Sequence, residues 1–212
     1  YKIYAREREG LAHLESFGLK NTKLSIDTVF HKRDSYNLEN IYKEIPIIRE
    51  VKINPNSVAI IPNINTLRNN GEKAYNLYSN SIKTLIELGK QVYLIRHSTE
   101  DLVMIEQIYN EFHQWNNVHL IRDEYSSIEL HNILSKFDFV IASRYHSIVH
   151  SYKVGTPALV LGWATKYEEL LLNFDQKKYQ FDIENVSVNE FASTLKELAD
   201  NYENEKKIIG SR

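Results

Sequence analysis

In Ser143-Arg144-Tyr145-His146-Ser147 the chain sets a guanidinium, a phenol and an imidazole side by side, and Lys166 adds an ammonium a short way downstream. Arginine can grip a carboxylate or a phosphate through two parallel N–H groups, and lysine contributes a mobile point charge. Histidine is the residue type best suited to moving a proton at neutral pH. Together they suit an anionic small molecule that must gain or lose a proton. His146 taken alone also fits a helix cap or a core position. His150 follows four residues later and shares its helix face, the spacing of many metal-binding pairs. No carboxylate stands beside the two in a metal motif, so no metal is expected. His13 and His113 fall on helical stretches away from this turn and receive no role.

Such a turn needs a frame, and the frame is legible from residue 57 onward. Short aliphatic runs alternate there with stretches of helical period, the pattern of a parallel sheet wrapped by crossover helices. Clear strands are expected at Ser57 to Ile61, Gln91 to Ile95, Val118 to Ile121, Phe137 to Ala142 and Ala158 to Leu161, with a further one at Tyr179 to Phe181. Continuous apolar runs imply that both sheet faces are covered. Leu77, Tyr78, Ile82, Leu85 and Ile86 make one face of a helix that Gly89 can close. Ser98 with Asp101, Ser126 with Glu129 and Ser187 with Glu190 each fit a capping box.

Ahead of this lies a smaller unit: strand Lys2 to Ala5, a helix bearing Leu11, Leu14 and Phe17 that ends at Gly18, and strand Lys23 to Ile26. Thr28 to Asn56 lacks periodicity, contains Pro46 and Pro55, and reads as a linker. The expected division is residues 1–45 as the end of one Rossmann-like domain plus linker and 46–212 as a second Rossmann-like domain. No repeat or low-complexity tract is evident.

In an open parallel sheet, the carboxyl ends of the strands and the following helix N-termini face one ligand-binding crevice. Those positions hold Asn63 and Asn65, Arg96 and His97, Arg122 and Asp123, Arg144 to His146, and Trp163 to Lys166. A lone charged residue after a strand is ordinary for a wet loop, which suffices for Arg96 and Arg122. The turn at Ser143 differs, because a very short connection pins Arg144 and His146 at a helix N-terminus that already favours an anion.

Bulk properties narrow the classes. Formal net charge is -2, so no general basic field gathers nucleic acid, and any anion site must be local. The absence of cysteine removes disulfides, thiolate metal sites and thiol nucleophiles. No apolar stretch approaches a transmembrane length, and the first residues lack the pattern of a signal peptide. The expected location is the cytoplasm, including the inner face of the membrane. The chain opens at Tyr1 and runs straight into Lys2-Ile3-Tyr4-Ala5-Arg6, which leads to the expectation of a fragment or a processed chain. The 14 tyrosines include candidates for stacking on sugar rings, although helix packing accounts for many of them.

Three blocks now combine: Val140-Ile141-Ala142-Ser143-Arg144-Tyr145-His146-Ser147, Gly155-Thr156-Pro157-Ala158-Leu159-Val160 and Lys166-Tyr167-Glu168-Glu169-Leu170. In this order they resemble the C-terminal half of the polysaccharide pyruvyl transferase family. Arg6-Glu7 before the first helix, and the strand followed by Asp27, resemble that family's Arg-Asp/Glu segment and its strand ending in aspartate. The resemblance implies two Rossmann-like domains of the GT-B kind with the active site between them, most of the N-terminal one lying outside this chain. It implies phosphoenolpyruvate as donor, a glycan or lipid-linked sugar as acceptor, and a pyruvate ketal as product, with no cofactor. By the same carry-over His146 is the central catalytic residue, and Arg6, Arg144 and Lys166 are the cations that meet the donor. Asn63, Arg96, His97, Tyr145, His150 and Trp163 complete the expected substrate cleft. A homo-oligomer is compatible with this reading.

The residue chemistry agrees with that assignment. Phosphoenolpyruvate carries a carboxylate and a phosphate on adjacent atoms, so its site needs at least two fixed cations. Two rivals remain. A GT-B nucleotide-sugar glycosyltransferase would show the same alternation, but such enzymes commonly carry a glutamate five residues before the glycine of the Gly-x-Pro block, where this chain has His150. A non-catalytic glycan-binding module would not need Arg6, Arg144, His146 and Lys166 together.

Overall fold

The computed structural model describes residues 1–30 and 49–212, which form two all-parallel sheets of unequal size. The larger has strands β3 (Ser57–Ile61), β4 (Gln91–Ile95), β5 (Val118–Ile121), β6 (Phe139–Ala142), β7 (Ala158–Leu161) and β8 (Gln180–Phe181), in the spatial order β5-β4-β3-β6-β7-β8. Between them run α2 (Leu67–Glu87), α3 (Leu102–Phe112), α4 (Ser127–Leu134), α5 (Tyr145–Lys153) and α6 (Thr165–Asn173), and α7 (Val188–Gly210) closes the chain. Alternate strand residues feed two separate cores. Val58, Ile60 and Leu94 pack with α2, α3 and α7 on one face, while Ala59, Ile61 and Ile95 pack with α4, α5 and α6 on the other. Burial on both faces is why the strands read as continuous apolar runs.

The chain builds outward from β3 to β5, then returns to the other side of β3 with β6. The connections therefore diverge between β3 and β6, and a crevice opens beyond the carboxyl ends of these two strands.

The small sheet pairs β1 (Ile3–Ala5) with β2 (Thr22–Leu24), joined by α1 (Arg8–Ser16). It rests on the main body through Arg8, whose backbone N–H and guanidinium both reach the Glu169 carboxylate, and through Phe30, whose ring centroid is 4.8 Å from that of Phe174. Among the described residues no helix is long and apolar enough to cross a membrane.

Local signals were good guides with a few displacements. Gly89 closes α2 with φ 71, both bonds of the capping box form at Ser126, and at Ser98 the backbone N–H donates to Asp101 Oδ2 at 3.2 Å while Asp101 N–H donates to the Ser98 carbonyl at 3.1 Å. At Ser187 only the cap itself is present, Glu190 N–H donating to the Ser187 hydroxyl at 3.1 Å. Phe137 is fully buried but precedes β6, and Tyr179 belongs to a short helical turn before β8. Of the expected linker, residues 31–48 lie outside the described residues, and with them the proposed boundary at residue 45. Its far end docks firmly: Arg49 pairs with Glu129 at 3.0 Å, and Asn54 N–H donates to the Tyr93 hydroxyl at 3.0 Å.

Gly162 stands directly after β7, at the strand end covered by Tyr167. A Cβ there would lie 2.5 Å from the Tyr167 ring, so only glycine lets that ring close over the strand end. Gly162→Ala should lower stability by roughly 1–3 kcal/mol through overpacking. Urea unfolding would measure it, and a wild-type midpoint would contradict the close approach.

Candidate active site at the strand ends

Ser143, fully buried, is the pivot of the turn between β6 and α5. Its N–H donates to the Ile61 carbonyl at 3.1 Å, and its own carbonyl accepts from Asn63 Nδ2 at 3.2 Å and from the Tyr167 hydroxyl at 2.9 Å. Its hydroxyl is paired with that of Tyr78 on α2. Residues following β3 and β7, and one on α2, thus fix the turn from different sides.

The next residue, Arg144, is the N-cap of α5, and its guanidinium turns onto Asp101. Nε donates to Oδ2 at 2.9 Å and Nη2 to Oδ1 at 2.6 Å, with Glu100 as a further partner. Asp101 is fully buried and also accepts from the backbone N–H of Ile64 at 2.9 Å and of Ser98 at 3.2 Å. Asp101 and Glu100 thus engage Nε and Nη2 of Arg144, while Nη1 has no hydrogen-bond partner among the described residues.

Four imidazoles lie around the start of α5. His146 is exposed, its ring edge-on to Tyr145 with centroids 5.4 Å apart and 6.4 Å from His150. His150 is buried, its Nδ1 hydrogen-bonded to Nε2 of His131 on α4 at 2.8 Å, and it lies 6.4 Å from His97. His97 Nε2 is buried and has no partner among the described residues. Burial, assisted by the Arg144 charge, lowers His97 to a pKa of about 4. Burial and then the neighbouring imidazoles, His131 first, lower His150 to about 4. Among the described residues no three His, Asp or Glu groups converge to hold a metal ion.

A second group gathers where α1 meets the start of α6. The Arg6 guanidinium carbon lies 4.8 Å from the Tyr145 ring centroid, and Lys166 Nζ lies 5.2 Å from the same centroid and 5.7 Å from that of Tyr167. Arg6 also pairs with Glu7 at 2.5 Å and with Asp27 at 3.3 Å. An open groove of about 520 Å³ runs past Arg6, Glu7, Glu9, His13, Thr165 and Lys166. Ala164, the N-cap of α6, has no side chain able to accept a hydrogen bond, so the first N–H groups of α6 stay open to an anion.

Arg6, Tyr145 and Lys166 are thus brought together, and His146 adjoins them through Tyr145. Asn63, His97, Arg144 and His150 lie behind, toward the point where the strand order reverses. Arg96 stands apart, paired with Glu124 at 2.9 Å, and Trp163 is 48% exposed with its ring 5.8 Å from that of Tyr167. His13, assigned no role from the sequence, lines the groove because α1 lies beside the start of α6. Asp101, Tyr78, Tyr167, His131 and Glu169 were missed. Asp101 carried a signal as the third residue of a capping box, Tyr167 and Glu169 lay inside a family-like block, Tyr78 showed only as part of a helix face, and His131 carried none.

A family model for polysaccharide pyruvyl transferase matches residues 1–165. A search of curated proteins found no match. Among solved structures, the chain is similar to MnaA from S. aureus in a co-structure with UDP, with a TM-score of 0.64 at 16% identity over 97% of this chain and 52% of that one. It is similar to UDP-GlcNAc 2-epimerase from Neisseria meningitidis bound to UDP-GlcNAc, with a TM-score of 0.62 at 14% identity over 97% and 54%. The C-terminal domain of a glycosyl transferase group 1 family protein (LpcC) from Francisella tularensis aligns with a TM-score of 0.54 at 15% identity over 87% and 93%. These likenesses establish a GT-B type fold, and the chain spans about half the length of the first two proteins.

Two expectations arise from the geometry. Asp101→Ala leaves a largely buried Arg144 without its main partner and should cost about 3–5 kcal/mol, read as a lowered urea midpoint. A loss under about 1 kcal/mol would refute the hub role. Stability should also fall on acidification from about pH 6.5 to pH 4. His97 and His150 take up protons near pH 6.5 when unfolded but only near pH 4 when folded, so the unfolded chain holds more protons in that window. Each group contributes up to about 1.4 kcal/mol per pH unit, and His97→Gln should flatten the slope.

Proposed function

Because the chain belongs to the polysaccharide pyruvyl transferase family, we propose that the protein moves a pyruvyl group from phosphoenolpyruvate to a pair of sugar hydroxyls on a cell-surface glycan or its lipid-linked precursor, forming a ketal. The observation that carries this reading is the pair of cations, Arg6 and Lys166, held against one aromatic ring beside the open N-terminus of α6. Phosphoenolpyruvate has two anionic groups on one small skeleton. One cation and the helix N-terminus can receive the phosphate while the other cation receives the carboxylate. Arg144 remains with Asp101 and keeps the turn in place.

In this mechanism the donor methylene takes up a proton, which leaves its C2 electron-poor. One sugar hydroxyl oxygen bonds to C2 as its proton departs. The second hydroxyl then bonds to C2 while the C2–O bond to phosphate breaks, and inorganic phosphate carries away the remaining proton. His146, exposed at the mouth and adjoining Tyr145, is the group proposed to move these protons. Charge on the leaving phosphate is met by Lys166 and the α6 N-terminus, without a cofactor.

Residues 1–45 belong, in this reading, to the N-terminal lobe and 46–212 form the C-terminal lobe, so the groove between α1 and α6 is part of the interlobe cleft. The reaction would run in the cytoplasm, with the protein free or peripheral at the membrane that carries the acceptor. The nucleotide-sugar alternative is disfavoured at one position. His150, which stands where such enzymes carry a donor-binding glutamate, is buried and bonded to His131.

His146→Ala should abolish phosphate release from phosphoenolpyruvate in the presence of acceptor glycan while leaving thermal stability unchanged, since its ring is exposed. Lys166→Gln should raise the donor KM by about tenfold or more, from the loss of a charged hydrogen bond. Normal turnover in the first variant sinks the catalytic assignment. A thermal-shift comparison separates the classes: stabilisation by UDP or GDP but not by phosphoenolpyruvate would favour the nucleotide-sugar reading.

A further inference from the structure

We infer that Tyr145 is a positioning residue whose ring holds Arg6 and Lys166 as a two-point clamp, so that the site selects donors carrying two anionic groups over those carrying one. The inference rests on the donor reading above. Both cationic heads lie within contact range of this one ring, at 4.8 Å for Arg6 and 5.2 Å for Lys166. Two like charges repel each other; Glu7 and Asp27 hold Arg6 on one side, whereas Lys166 makes no ion pair among the described residues. An aromatic face offers each of them an attraction of about 0.5–2 kcal/mol without neutralising either charge, unlike a carboxylate. The ring is therefore a partner that the two cations share, and it leaves the Lys166 charge and the Nη2 donors of Arg6 to a ligand.

The ring is itself immobile, which a positioning role requires. Tyr145 is the first residue of α5, next to the turn that Ser143 and Arg144 pin, and only 7% of its surface is exposed. Tyr167 meets it edge to face, with centroids 5.7 Å apart and an interplanar angle of 82°, and Tyr167 is fastened in turn through its hydroxyl to the Ser143 carbonyl. Burial raises the Tyr145 phenol to a pKa of about 12, which removes it from proton transfer at neutral pH and leaves the ring face as its contribution. The two cations come from separate elements, Arg6 after β1 and Lys166 in the first turn of α6. The ring at the start of α5 is where they meet.

The fold also explains why the clamp selects span. A donor with a single anionic group satisfies one cation and gains nothing from the spacing between the two. A donor with a carboxylate and a phosphate on adjacent atoms engages both, and its affinity depends on the cations staying where the ring holds them.

The test measures binding of phosphoenolpyruvate and of inorganic phosphate by titration calorimetry, together with KM and kcat, in the protein carrying Tyr145→Phe, Tyr145→Leu or phenylalanines of increasing fluorination at position 145. Fluorination keeps size and fold while draining the ring face of its negative potential, so it remains informative if the leucine variant fails to fold. Tyr145→Phe should bind phosphoenolpyruvate within about twofold of wild type, whereas Tyr145→Leu should bind it about tenfold more weakly, with kcat far less affected. Phosphate affinity should change by less than about twofold, and phosphoenolpyruvate affinity should fall stepwise with each fluorine. A flat fluorine series, or phosphate weakened as much as phosphoenolpyruvate, overturns the clamp. Wild-type protein that binds no phosphoenolpyruvate would instead overturn the donor reading itself.

Discussion

The Asp101–Arg144 pair is the constraint on which the site depends. Asp101 is fully buried, yet it accepts from Ile64 N–H after β3, Ser98 N–H after β4 and the guanidinium of Arg144 after β6. One carboxylate thereby ties together three strand ends on both sides of the point where the strand order reverses. A buried charge is tolerable only when its lone pairs are occupied, and here backbone and side-chain donors fill them. The same pair sets where α5 begins, and so where Tyr145 and His146 project.

Fixing the turn this way divides the work between cations. Arg144 gives Nε and Nη2 to Asp101 and Glu100, while Arg6 from the small unit and Lys166 from α6 bring further cations from outside the turn. Among the described residues Lys166 makes no ion pair, its ammonium resting on aromatic faces instead. Arg6 is balanced by Glu7 and Asp27.

Most of the frame was legible in the sequence because its determinants are local. Strand patterns, the helix-closing Gly89 and the caps at Ser98 and Ser126 depend on residues within a few positions of one another. The site was legible only in outline. The Arg144–Asp101 pair joins residues 43 apart, and nothing near Arg144 announces that partner. Likewise the His131–His150 bond joins residues 19 apart on different helices, and Glu169 reaches Arg8 across 161 residues. Nor does any local pattern show that α1 lies beside the start of α6, where His13 lines the groove. Residue types predicted what chemistry is available; pairing decided which groups are left to perform it.

The histidines show the same rule from the opposite side. Bringing His97, His131, His146 and His150 together would be costly if several were charged, so the fold keeps the inner ones neutral by burial and joins two of them through a single shared hydrogen bond. A neutral imidazole pair of this kind has one donor and one acceptor, which fixes the tautomer of His150 relative to His131. The inner rings therefore pack behind α5 as polar structure, and His146 alone of the four is exposed at the mouth. Position along one helix thus separates a buried, acid-sensitive histidine from an exposed one, although the two share a face and are only one turn apart.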